Sequence, residues 1–177
     1  MTKIFSPEEL KKKIREVQDF PLPGVSYKDI TTLLKDGEAF HAAIRQLADL
    51  CRGKDFDLIV GPEARGFLAG APLAYELSKG FVPVRKAGKL PAASHKGVCT
   101  LEYGVAELEV HQDAVRPGQK VLVVDDLLAT GGTVLTTIDM VQKMGGEITA
   151  AAFLIELEYL NGRENLKDYD VISLIKY

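Results

Sequence analysis

One string of thirteen residues constrains this chain more than any other: VLVVDDLLATGGT, Val121 to Thr133. Its four leading apolar residues make a buried strand. Two adjacent carboxylates, Asp125 and Asp126, follow at the strand's carboxyl end, and a small, glycine- and hydroxyl-rich turn then opens a helix. Ligands of open α/β sheets bind beyond the carboxyl ends of the strands. Backbone N–H groups of Ala129, Thr130, Gly131, Gly132 and Thr133 at a helix N-terminus favour an anion, through free donors and the helix dipole. Gly131 and Gly132 allow close backbone approach to a phosphate, and Thr130 and Thr133 add hydroxyl donors. Two aspartates would repel a phosphate they touched. They make sense facing sugar hydroxyls, or a magnesium ion with its waters. Together these features describe a site for a phosphorylated sugar. The sequence has neither G-x-x-x-x-G-K-[ST] nor G-x-G-x-x-G after a strand, which argues against a P-loop NTPase and a dinucleotide fold.

The rest of the chain sets the frame. Its 177 residues suit one domain, residues 1–177, and 46% apolar with 27% charged residues suits a globular protein. A net charge of −3 argues against a broad basic face, so no nucleic-acid partner is expected. No apolar stretch is long enough to span a bilayer, so no membrane partner is expected. The opening residues MTKIFSPEELKKKIREV carry no signal-peptide pattern. Cys51 and Cys99 lie too far apart for a zinc or disulfide spacing, and a cytoplasmic home is expected.

Helical and strand patterns alternate, which predicts an α/β fold with a mainly parallel, twisted sheet flanked by helices. Ser6-Pro7-Glu8-Glu9 starts a helix with a capping box, and Leu10, Ile14 and Val17 share a face at helical spacing. FPLPGV (Phe20 to Val25) is an extended, turn-rich segment. A second helix covers about Asp36 to Arg52, with Phe40, Ile44, Leu47 and Cys51 inward. DLIVG (Asp57 to Gly61) is a strand, followed by a helix from about Gly66 to Leu77 and a strand from Phe81 to Arg85. Residues 87 to 104 lack clear periodicity and read as a mobile loop or an irregular hairpin. Ala106 to Val110 is a strand, and Arg116 to Lys120 a turn. The helix after the phosphate turn ends near Met144, with Val134, Leu135, Ile138 and Val141 inward. Strands from Ile148 to Ile155 and Val171 to Ile175 close the sheet.

VVDDLLATGGT resembles the phosphoribosyl-pyrophosphate (PRPP) signature of the type I phosphoribosyltransferases. FPLPGVSYKDIT, GPEARGF, VRKAGKLP, LEYG and IELEYLNGRE narrow the resemblance to the adenine phosphoribosyltransferases, in order and over nearly the whole chain. The resemblance implies a type I phosphoribosyltransferase-like fold. A small hood would come from about residues 1–35 and the C-terminal segment, and a mobile loop would lie over the site. It implies transfer of the 5-phosphoribosyl group from PRPP to adenine, giving AMP and pyrophosphate in purine salvage, with magnesium held mainly through PRPP and waters and no direct protein ligand. A homodimer is implied as well.

By the same resemblance, Asp125 and Asp126 hold the ribose hydroxyls, and Ala129 to Thr133 cradle the 5′-phosphate. Arg65, Arg85, Lys86 and Lys89 neutralise pyrophosphate, in part across a dimer interface. Taken alone, the last three could be a solvated surface cluster. Ser26, Tyr27, Arg65 and Leu157 form the adenine pocket, where Tyr27 offers an aromatic face. Glu102 is the candidate catalytic acid/base group, and Tyr103 sits with it on the loop over the site. Ser26 falls where the family often has a bulky apolar residue, which leaves base preference open if its side chain matters. A phosphoribosyltransferase for another base and a non-catalytic PRPP-binding regulatory domain are the competing readings.

Overall fold

The computed structural model describes residues 5–101 and 104–177. Helix α1 (Pro7–Lys11) begins at the expected capping box: the Ser6 hydroxyl accepts from the Glu9 N–H at 3.2 Å, and the Ser6 N–H donates to the Glu9 carboxylate at 2.8 Å. The helix does not continue through Ile14 and Val17 as their spacing predicts. Arg15–Gln18 instead forms strand β1, antiparallel to β2 (Ser26–Asp29). Thr32 pins this change of direction, its hydroxyl donating to the Lys13 carbonyl at 2.6 Å and accepting from the Arg15 N–H at 3.1 Å. Long-range pairing thus overrides a local helical pattern, while Leu10 and Ile14 are still buried. The turn-rich segment connects the two strands, with the Gly24 N–H donating to Asp19 at 2.7 Å.

After the short α2 (Thr31–Leu34), α3 (Gly37–Cys51) starts at Asp36, whose carboxylate accepts from the Ala39 N–H at 3.2 Å. Ile44, Leu47 and Cys51 are buried as expected, whereas Phe40 is only half-buried because Ala39, Ala42 and Ala43 occupy the inner face. Then follow β3 (Leu58–Pro62), α4 (Arg65–Glu76), β4 (Gly80–Lys86), β5 (Ser94–Leu101) and β6 (Gly104–His111). The chain continues through β7 (Lys120–Leu128), α5 (Gly132–Lys143), β8 (Glu147–Glu156), a 3₁₀ turn (Glu158–Leu160), α6 (Gly162–Asn165) and β9 (Val171–Lys176). In α5, Val134, Ile138 and Val141 are buried as expected, and Leu135 is half-buried.

The larger sheet has seven strands in the order β5-β6-β4-β3-β7-β8-β9. The five from β4 to β9 are parallel; β6 runs antiparallel to β4, and β5 antiparallel to β6. The α/β architecture with a mainly parallel sheet is therefore present. Residues 94–101, expected to lie in a loop or irregular hairpin, form a continuous strand paired along its length with β6. Its alternation is hidden from a hydropathy reading: apolar Val98 is 68% exposed, while Gly97 and Cys99 face inward. Among the described residues no helix is long and apolar enough to cross a membrane.

Period-two alternation along β7 builds two cores. Leu122 and Val124 pack with α3 and α4 on one face, and Val121 and Val123 pack with α5 on the other. Chain order fixes the crevice: β3 leads through α4 to β4 on one side, while β7 leads through α5 to β8 on the other. The carboxyl ends of β3 and β7 are thus a topological switch point, where open α/β sheets bind ligands.

Leu122 is fully buried at the centre of this sheet. Leu122→Ala should lower stability by about 2–5 kcal/mol, from lost burial plus the cavity left behind. Urea unfolding followed by circular dichroism checks this; a loss below about 1 kcal/mol would contradict the packing described.

Candidate functional site

At the switch point lies a cavity of about 470 Å³. The last residues of strand β7, Asp125 to Leu128, line it together with the turn from Ala129 to Thr133; the strand thus runs on past the two carboxylates after which the sequence predicts its end. Gly131 adopts φ +86°, a left-handed conformation that favours glycine, and no side-chain hydrogen bond caps α5 there. The first turn of a helix leaves N–H donors without intrahelical partners, so this end is open to an anion. Behind the turn, Asn165 donates to the Thr130 carbonyl at 2.8 Å. A Cβ on Gly162 would stand 2.2 Å from the Ala129 carbonyl oxygen, so only glycine permits this approach. α6 therefore buttresses the turn from outside the cavity.

Asp126 is buried and Asp125 half-buried. The Asp126 N–H donates to Asp125 Oδ1 at 2.8 Å. Asp126 Oδ2 lies 3.1 Å from Arg65 Nε, but without hydrogen-bond alignment, so this buried oxygen has an ionic neighbour and, among the described residues, no donor. Burial, and then the charge of Asp126, push the Asp125 carboxyl well above its usual range. Burial also raises Asp126, against the opposing pull of Arg65. Burial and the neighbouring charge thus both oppose ionisation of Asp125 in the free site.

Arg65 opens α4 and reaches across the crevice to the N-terminal ribbon. Its Nη1 donates to the Tyr27 hydroxyl, and its guanidinium carbon lies 5.0 Å from the Tyr27 ring centroid. Phe20 meets the same ring edge-on at 5.1 Å. On the other face of β2, Lys28 is 2.8 Å from the Glu16 carboxylate and 3.1 Å from the Ser26 hydroxyl. That hydroxyl also lies 3.3 Å from Gln18 Nε2, so Ser26 is engaged with β1. Leu157 is tied to the strand end by its N–H, which donates to the Leu128 carbonyl at 2.9 Å.

Ser26, Tyr27, Arg65, Asp125, Asp126, Leu157 and the whole turn from Ala129 to Thr133 thus line one cavity. Arg85, Lys86 and Lys89 do not line it. Arg85 is ion-paired with Glu63 just before α4; burial raises that carboxyl, but the guanidinium outweighs it and holds Glu63 below its usual range. Lys86 and Lys89 are exposed, and the Lys89 N–H donates to Glu109 at 2.8 Å. Glu102 and Tyr103 lie outside the described residues. The sequence reasoning did not single out Lys28, Phe20, Tyr159 and Leu160, which also line the cavity. All four lie inside the motifs quoted above, Phe20 and Lys28 in FPLPGVSYKDIT and Tyr159 and Leu160 in IELEYLNGRE. A single lysine beside Tyr27 carries no sequence signal for its burial, which depends on Glu16 in the paired strand.

Residues 31–176 match the model of the phosphoribosyl transferase domain family. A curated adenine phosphoribosyltransferase of Alkaliphilus metalliredigens is 56% identical over 95% of this chain and 99% of its own length. One from Desulfitobacterium hafniense is 57% identical over 94% of this chain and 96% of its own. The crystal structure of adenine phosphoribosyltransferase from Thermoanaerobacter pseudethanolicus superposes with a TM-score of 0.94, at 55% identity, covering 97% of this chain and 100% of the other. That of the Saccharomyces cerevisiae enzyme, complexed with an imino-altritol bisphosphate and adenine, gives 0.88 at 35% identity, covering 96% and 98%.

The raised Asp125 carboxyl has a consequence for stability. A carboxyl whose folded pKa lies above its unfolded value stabilises fully below the unfolded pKa, and that contribution is lost as pH rises through the folded pKa. Asp125→Asn should therefore be more stable than the parent at neutral pH, by about 0.5–2 kcal/mol. The advantage should shrink as pH falls toward the ordinary carboxylate range. Thermal melts of both proteins from pH 7 down to pH 5 check this; a variant less stable at pH 7 would contradict it.

Proposed function

This chain belongs to the adenine phosphoribosyltransferases of the phosphoribosyl transferase domain family, and from that premise we propose that the cavity transfers the 5-phosphoribosyl group of PRPP to adenine, yielding AMP and pyrophosphate for purine salvage. The observation that carries this reading is the pairing of two adjacent carboxylates, Asp126 buried and Asp125 half-buried, with an uncapped helix N-terminus in one cavity. A phosphorylated sugar needs both at once. The turn from Ala129 to Thr133 binds the 5′-phosphate through N–H donors and the Thr130 and Thr133 hydroxyls. Asp125 and Asp126 accept hydrogen bonds from the ribose hydroxyls.

The reaction breaks the bond from the anomeric carbon to the pyrophosphate oxygen and forms one to a ring nitrogen of adenine, which loses its proton. As pyrophosphate leaves, positive charge grows on the sugar ring, and the nearby carboxylates stabilise it. Most of the acceleration is then positioning and charge stabilisation. Tyr27, Leu157 and the Ser26 backbone hold the base, and Arg65 faces the pyrophosphate. Arg85, Lys86 and Lys89 neutralise the leaving group in the closed complex. Glu102 handles the proton of the base, and Tyr103 covers the site with it.

A pair of carboxylates is too few for an all-protein magnesium cage. The pair suits an ion that arrives on the phosphates of PRPP with its own waters. When bound, such an ion supplies charge neutralisation to the departing pyrophosphate. The N-terminal segment to about residue 35 and the C-terminal segment act as a hood over the cavity. The protein works as a cytoplasmic homodimer. The dimer reading is supported by an apolar stripe on α4, where Leu68 is 41% and Tyr75 89% exposed two turns apart.

The test is a pyrophosphate-release assay with PRPP and magnesium, run in parallel with adenine, hypoxanthine, guanine, xanthine and orotate. Release with adenine alone, and AMP as product, is expected. Release with another base would overturn the adenine pocket, and PRPP binding without release would point to a regulatory domain.

A further inference from the structure

Tyr27 stands in the wall assigned to the base, yet its hydroxyl is turned toward Arg65. Arg65 is held at two points on opposite sides of the crevice. Nη1 donates to the Tyr27 hydroxyl on β2, and Nε lies 3.1 Å from Asp126 Oδ2 at the end of β7. The ring of Tyr27 lies against the same guanidinium, 5.0 Å from its carbon, and Phe20 braces that ring edge-on. The ribbon and the sheet are thereby joined through one arginine side chain.

An arginine has several freely rotating bonds, and ordering it costs entropy. A guanidinium presents five N–H donors in a fixed fork. Anchored through Nη1 and Nε, it still has donors to offer an incoming anion. Asp126 Oδ2, buried and without a hydrogen-bond donor, marks the point that a ligand hydroxyl would satisfy. The side chain therefore sits between the ribose carboxylates and the base wall, in an orientation that a tyrosine hydroxyl sets.

We propose that the Tyr27 hydroxyl is a positioning group for the PRPP half of the site: it pre-orients Arg65, although its ring belongs to the adenine half. The inference rests on the PRPP reading above and adds to it a role that ring stacking does not require. A phenylalanine would keep the ring and lose the anchor. The two halves of the site are then linked by one hydrogen bond, and its loss falls on PRPP rather than on adenine.

The experiment is steady-state kinetics of wild type, Tyr27→Phe, Arg65→Lys and the double variant, each with PRPP varied and then with adenine varied. Tyr27→Phe should raise KM for PRPP about five- to tenfold, as expected for a partly exposed hydrogen bond to a charged group. KM for adenine should stay within about twofold, because the stacking face is kept. In the Arg65→Lys background, Tyr27→Phe should add almost nothing, since the bond it removes is already broken. A silent Tyr27→Phe, a rise confined to adenine, or full additivity in the double variant would each overturn the proposal. Absence of adenine-dependent turnover in the wild type would overturn the PRPP and adenine reading itself, and it would be seen before any substitution is compared.

Discussion

Burying two adjacent carboxylates is expensive, because each loses its hydration and each repels the other. Asp126 is nonetheless buried and Asp125 half-buried near the carboxyl end of β7, and the surrounding structure is arranged around them. Arg65 is brought across from the start of α4 to face Asp126. The uncapped N-terminus of α5 supplies a positive end a few residues further along. These offset the cost only in part, since burial and the charge of Asp126 still push the Asp125 carboxyl upward. A site organised in this way sacrifices stability for a cavity whose charges are complete only when a ligand with hydroxyls and a phosphate occupies it.

This conflict explains why the cavity was so legible in the sequence. Two adjacent aspartates in an apolar strand, followed within two residues by Ala-Thr-Gly-Gly-Thr, have no simple packing reason, so they point to a ligand. The mainly parallel sheet and the helix after the turn lie where local reasoning puts them, whereas the strand runs on past the carboxylates to Leu128 because Leu127 and Leu128 still pair with β8. The rest depended on long-range pairing. Ile14 and Val17 keep helical spacing, yet Thr32 and the β1–β2 pairing draw that segment into a strand. Residues 94–101 looked irregular because their buried positions are Gly97 and Cys99, which carry little hydropathy signal. Lys28 and the buttress from Gly162 and Asn165 were invisible for a similar reason: each role exists only through a partner distant in sequence.

The N-terminal ribbon makes the same point functionally. Its turn-rich segment and β2 are far from β7 in sequence, yet Tyr27 and Phe20 line the same cavity as the turn after β7. The polar set of Glu16, Ser26 and Lys28 ties β2 to β1. The lining of the cavity thus comes from the N-terminal ribbon and from the main sheet, and Arg65 spans the gap between them.

The central claim is that the acidic pair and the turn after it form the binding site for the phosphoribosyl group. Isothermal titration of PRPP with magnesium into wild type and into an Asp125→Asn, Asp126→Asn double variant tests it most directly, with circular dichroism confirming that both are folded. The account predicts measurable affinity in the wild type and a loss of about tenfold or more in the variant, from two hydrogen bonds weakened in a buried site. Equal affinity in the two proteins would contradict it.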